Sequence, residues 1–138
     1  MKHSLLIFFL LVSIRGIAPT ERFLTLSDPP PVNPYLNLYN ASCFVESSHR
    51  AKVINEKEKA YGIVQIRIGK LTDYNNETGN HYTLQDCLDP DVSRKIWMHF
   101  AAKHDHRDYE KIAKAWNRST TDKYWNKVKK HIRSNGTE

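Results

Sequence analysis

A glutamate stands near the end of an apolar stretch, in Phe44-Val45-Glu46-Ser47-Ser48, and a second, Glu58, occurs in the charged run Glu56-Lys57-Glu58-Lys59. Two carboxyl groups are the equipment for acid–base chemistry on a glycosidic bond. One must donate a proton to the leaving oxygen near neutral pH, and something must stabilise or trap the oxocarbenium-like centre left behind. A glutamate titrates at about 4.3 in water, and raising it to about 6 means ~2.3 kcal/mol of preference for the neutral form. The C-terminal end of a helix helps, because its partial negative charge disfavours a carboxylate. Taken alone, a glutamate at a helix end is ordinarily a solvated surface group, and Glu58 reads equally well as a solvated charge within its run. The weight therefore falls on the elements that would position Glu46.

Asn33-Pro34 is a helix start, an N-cap residue followed by proline at the first helical position, and a helix is predicted over Pro34 to Ser47 with Glu46 at its end. Leu36, Tyr39 or Asn40, Cys43 and Ser47 make one stripe of it, and Leu38, Ser42 and Val45 another. Residues 48–59 lack a period and read as a loop, and two or three short strands fit within 48–60. The Ile63/Ile66 and Val64/Ile68 spacings predict a short helix over Tyr61 to Thr72, with a strand as the alternative because these residues are β-branched. Asn75 to Tyr82 is turn-like, and Thr83 with Asp86 forms a weak capping box. Asp89-Pro90 opens a helix running to about His104, with Val92, Ile96, Trp97 and Phe100 on its apolar face. Asp108 to Trp116 and Thr121 to Ile132 complete the pattern; Tyr124, Trp125, Val128 and Ile132 face inward, and Lys127, Lys129 and Lys130 outward. The fold class expected is mainly α, with about five to seven short helices and at most a small β-hairpin.

An ordered set of short segments adds to this. Phe44 to Ser48 is succeeded by Ala60-Tyr61-Gly62-Ile63-Val64-Gln65-Ile66 and, much later, by Ala115-Trp116-Asn117. The set resembles the lysozyme-like lytic transglycosylases of the soluble transglycosylase superfamily. It is most similar to a compact bacterial and phage branch, through Glu58-Lys59-Ala60-Tyr61-Gly62, Tyr74-Asn75, Tyr82 to Asp86, Asp89 to Phe100 and Tyr124 to Lys130. The resemblance spans about residues 38 to 131 and implies a lysozyme-like fold at 34–133. It implies cleavage of the β-1,4 bond between N-acetylmuramic acid and N-acetylglucosamine in peptidoglycan, without a cofactor. Glu46 matches the catalytic acid, which then acts as base on the sugar's own carbon-6 hydroxyl to give a 1,6-anhydro product. Glu58 matches a second acidic position, an accessory carboxylate. Ser47, Gly62, Ile63, Gln65, Asn75, Trp116 and Asn117 match positions at the substrate cleft. Each has a plainer role beside this one: Gly62 a helix start, Asn75 and Asn117 turn or cap residues, Trp116 a core residue. The chain departs from the branch at Asn117-Arg118-Ser119, where Trp-Asn-Gly-Gly and a longer loop are usual. A hydrolytic lysozyme, or an inactive peptidoglycan-binding module of the same fold, stands as the alternative.

The 138 residues suffice for one domain. Lys2 and His3, the apolar run Leu5 to Ile14 and the small residues Gly16 and Ala18 have the three parts of a secretory signal peptide over residues 1–18; the run is short of the roughly 20 apolar residues that span a bilayer. A secreted or periplasmic monomer with no stable membrane insertion after cleavage is expected. Residues 19–33 read as a proline-rich linker and 134–138 as a frayed tail. The formal charge of +6 falls to +4 when Lys2 and Arg15 leave with the signal. Such a charge suits anionic bacterial walls and also nucleic acid; the Lys127, Lys129, Lys130, Arg133 face is read as solvated and no nucleic-acid partner is expected. His99, His104 and His106 have no convincing ligand spacing, so no metal is expected. Cys43 and Cys87 pair in an oxidising compartment or remain as two buried thiols. The four Asn-x-Ser/Thr sequons decide nothing by themselves.

Overall fold

In the computed structural model residues 32–132 are described. The signal segment 1–18, nearly all of the linker 19–33, Arg133 and the tail 134–138 lie outside the described residues. The described part is mainly helical: α1 (Leu36–Ser47), α2 (Ile68–Thr78), α3 (Pro90–Ala101), α4 (Tyr109–Asn117) and α5 (Lys123–Val128), with 3-10 turns at Asp86–Leu88 and Lys129–His131. Three two-residue strands, β1 (Ile54–Asn55), β2 (Ala60–Tyr61) and β3 (Ile66–Arg67), form an antiparallel sheet in the order β1-β2-β3.

The helix α1 starts later than expected because Asn33 makes a turn of its own. Its side-chain oxygen accepts from the Tyr35 N–H at 2.9 Å, and its carbonyl from Leu36 N–H at 3.1 Å. The helix stops at Ser47 because Ser48 and His49 both turn left-handed, at φ 53° and 61°. Its Leu38, Tyr39, Ala41, Ser42 and Cys43 are buried, packed against α3, α4, α5 and the second 3-10 turn. Trp97, fully buried, sits edge-on to Tyr39 at 5.3 Å and 6.3 Å from Trp116. Leu38, Ile66, Leu71 and Ile96 are also fully buried, each worth about 1.5–3 kcal/mol of removal from water. Cys43 and Cys87 are buried as free thiols, and burial pushes them up to about 11 and about 12, so both stay protonated.

The sheet corrects two expectations. The stretch 48–67 carries three strands rather than at most a hairpin, with Ile54 opposite Tyr61 and Tyr61 opposite Ile66. The helix expected over Tyr61 to Thr72 is absent as such: β2 runs into a turn over Gly62 to Gln65, β3 comes next, and α2 begins at Ile68. Gly62 at φ 79° and Gln65 at φ 53° are incompatible with a helix there, and the β-branched residues around them suit extended backbone. The segment expected as a turn from Asn75 is helical to Thr78, where Gly79 at φ 71° ends it by donating to the Asn75 carbonyl at 2.8 Å.

The remaining boundaries are set by their caps. Asp89 accepts from Asp91 N–H at the start of α3, and Asp108 from Lys111 N–H at the start of α4. The Thr83/Asp86 box forms on a 3-10 turn rather than an α-helix: the Asp86 carboxylate accepts from Thr83 N–H at 2.7 Å, and Asp86 N–H donates back to the Thr83 hydroxyl at 3.3 Å. The expected last helix divides into α5 and the second 3-10 turn, with Tyr124 and Val128 buried and Trp125 and Ile132 only half-buried. Among the described residues no helix is long and apolar enough to cross a membrane.

Candidate active site

Glu46 lies one residue from the end of α1, half-buried. It faces a groove with two adjoining halves. One hollow, of about 290 Å³, is lined by Glu46, Gln65, Arg67, Lys70, Trp116 and Arg118 among others. The other, of about 330 Å³, is lined by Glu46 together with Glu58, Tyr124 and Lys127. Glu46, Arg67 and Asn117 line both, which places Glu46 at the junction.

Burial pushes the Glu46 carboxyl from an ordinary 4.5 up to about 7. The neighbouring Tyr124 hydroxyl and the charges of Arg67 and Lys127 pull it down, while the Glu58 charge pushes it further up. Desolvation is the largest of these effects and sets the direction of the shift. The result is a carboxylic acid that is protonated over a wide range below neutrality and still able to give its proton away near pH 7. The Tyr124 hydroxyl is buried beside Glu46 and Ser42, and burial together with the Glu46 charge drives its ionisation far above the usual phenol range, so it stays a neutral hydroxyl.

The candidate residues divide into two groups. Gln65, Trp116 and Asn117 join Glu46 on the first hollow, although they come from a hairpin turn and from the end of α4. Trp116 is buried, packing toward Trp97 and Phe100, and it is also among the residues that line the first hollow. Glu58 lies in the other half, exposed and ion-paired with Arg67. In the first hollow, Gln65 and Arg118 hold left-handed backbone, both at φ 53°, a conformation that costs a non-glycine residue about 1–2 kcal/mol. Such strain clusters at sites where geometry matters more than stability.

Ser47, Gly62, Ile63 and Asn75 are not among the residues that line these two hollows. Ser47 is buried, and its hydroxyl donates to the Ile63 carbonyl at 2.8 Å, within reach of the Cys43 carbonyl at 3.1 Å. Ile63 packs against the core and offers that carbonyl. Gly62 does allow a close backbone approach, but to the protein itself: a Cβ there would stand 1.9 Å from the Cys87 carbonyl oxygen. Asn75 clamps the chain after α2, its amide donating to the Tyr82 carbonyl at 2.8 Å and accepting from Tyr82 N–H at 3.1 Å. Asn75 ties α2 to the chain at Tyr82.

Arg67, Lys70, Arg118 and Tyr124 are groove residues that the sequence reading did not place at the site. The first two were hidden by the expected helix over 61–72, which scatters them round a cylinder. Arg118 was visible only as a missing glycine, and Tyr124 only as one inward residue of the last helix. Among the described residues no three of His, Cys, Asp and Glu gather into a group able to hold a metal ion. Comparison of the chain with family models, with curated proteins and with solved structures finds no match.

Proposed function

We propose that this chain is a peptidoglycan-cleaving lytic transglycosylase with a lysozyme-like fold, exported by residues 1–18 and acting as a monomer on glycan strands without a cofactor. The observation that carries the proposal is a single carboxyl, Glu46, raised to about 7 at the junction of a two-part groove that also receives Gln65 and Asn117. Those three side chains belong to the segments that resemble the transglycosylases, and they are distant in sequence.

The reaction needs only what the groove offers. Glu46 gives its proton to the bridging oxygen as the bond from that oxygen to the anomeric carbon breaks. The positive charge that develops on the sugar is met by the carboxylate just formed. The carbon-6 hydroxyl of the same sugar attacks the anomeric carbon and returns its proton to Glu46, so the acid is regenerated and no water is consumed. Burial of Glu46 keeps its pKa raised between turnovers.

Glu58 favours a second reading. It lines the same groove as Glu46, and a second carboxylate that held a water would make the enzyme a hydrolytic lysozyme. Mass analysis of muropeptides released from purified sacculi separates the two, since the anhydro product is one water lighter. Glu46→Gln is expected to lower release by about 10²–10³-fold. Undiminished release by that variant overturns the assignment of the acid, and saturable binding without release by the native chain makes it an inactive binding module.

A further inference from the structure

The first hollow is lined by three cations, and two of them are already paired. Arg67 meets Glu58, and Arg118 meets Asp73 at 2.9 Å. Lys70 differs. Among the described residues no carboxylate lies within ion-pairing distance of its amine, which instead sits 4.5 Å from the centre of the Phe100 ring and 5.2 Å from that of Trp116. Its one hydrogen bond among these residues is a long one, to the Ala115 carbonyl at 3.4 Å. Lys70 also stands in the first turn of α2, where a cation opposes the helix dipole. Its contacts with Phe100 and Trp116 tie the start of α2 to α3 and α4, but the half-buried cation stands against the dipole with no carboxylate in contact. Lys70 lines both the first hollow and a smaller one formed with Phe100, Ala115 and Trp116, and a cation placed there can receive an anion brought into the groove, because attraction strengthens as water is excluded.

We propose that Lys70 is the receptor for a carboxylate carried by the bound glycan, and so selects acidic over neutral saccharides. This rests on the peptidoglycan reading of the groove. Peptidoglycan has two sources of such a carboxylate: the lactyl group of a muramic residue without its peptide, and the stem peptide where one is attached.

The test measures calorimetric binding to the full chain carrying Glu46→Gln, which suppresses turnover, with and without Lys70→Met. Three probes are used: peptide-free glycan strands, the same strands with their carboxylates methyl-esterified, and strands that keep their stem peptides. The expected result is that one of the two charged probes binds about tenfold tighter than the esterified strands, that Lys70→Met abolishes the preference, and that Lys70→Arg retains it. A Lys70-dependent preference for peptide-free strands assigns the lactyl carboxylate; one confined to peptide-bearing strands assigns the stem. Equal binding of charged and esterified strands, or equal weakening of all three by Lys70→Met, overturns the role of Lys70 and leaves the glycan reading standing. Absence of binding to any of the three overturns that reading, and this one with it.

Discussion

The Ser47 hydroxyl donates to the Ile63 carbonyl at 2.8 Å, joining the helix end that holds Glu46 to the turn that holds Gln65. A hydroxyl has one proton to give, so the more distant Cys43 carbonyl receives at most a share of it. The bond crosses between two segments that each carry a residue lining the first hollow, Glu46 and Gln65. Ser47→Ala leaves the Ile63 carbonyl without this partner in a largely dry environment and is expected to destabilise the protein by about 1–3 kcal/mol. Urea unfolding measures that loss. Release of muropeptides at a temperature where the variant stays folded should fall as well, because Gln65 is no longer held against the end of α1; unchanged release would mean that the turn keeps its place without the bond.

Glycine is required at position 62 for a reason internal to the fold. At φ 79° and with the Cys87 carbonyl oxygen 1.9 Å from where a Cβ would sit, Gly62→Ala must both strain the backbone and push the Cys87 segment away. A loss of about 3 kcal/mol or more is expected. The denaturant midpoint reads this directly, and a variant as stable as the native chain would contradict the close approach.

Glu46 makes both activity and stability depend on pH. Its carboxyl titrates at about 7 when folded against an ordinary 4.5, so the folded state holds a proton that the unfolded state has lost across that window. Stability therefore falls as pH rises from the lower value to the upper, by about 1–3 kcal/mol once partial exposure is allowed for. Glu46→Gln should flatten this slope, leaving a variant more stable than the native chain at pH 8 and little different at pH 4. The protonated form is the one that donates, so release should decline about tenfold per pH unit above pH 7. An alkaline limb that begins near pH 5 would place the acid elsewhere.

Arg118 holds left-handed backbone at the end of α4, at φ 53° and ψ 32°. Arg118→Gly removes a strain of about 1 kcal/mol or more, while the exposed bridge to Asp73 that it breaks is worth less than that. The variant should be more stable than the native chain by about 1 kcal/mol in thermal or urea unfolding. A net loss would show that the Asp73 bridge outweighs the strain and braces the groove.

Much of this protein is legible in the order of its residues. Asp89-Pro90 and Asp108 mark helix starts through local capping, and Val92, Ile96 and Trp97 show their face through spacing, so α3 and α4 are readable from periodicity. Glu46 at a helix end, with Gln65 and Trp116-Asn117 to come, is equally a local pattern. The structure decided what depends on contacts between segments far apart. Gly62, read as a helix start or a point of close approach to substrate, approaches the Cys87 carbonyl, and that contact opens a hairpin where periodicity expected a helix. Asn75, read as a cleft or turn residue, spends its amide on the Tyr82 backbone. Arg67, Lys70 and Arg118 reach one hollow because β3, the start of α2 and the end of α4 meet there, a meeting that no single segment encodes. Which residues can be acid, turn or cap is a property of their own chemistry and near neighbours. How acidic Glu46 is depends on what surrounds it, and desolvation by distant parts of the chain exists only once the chain has folded.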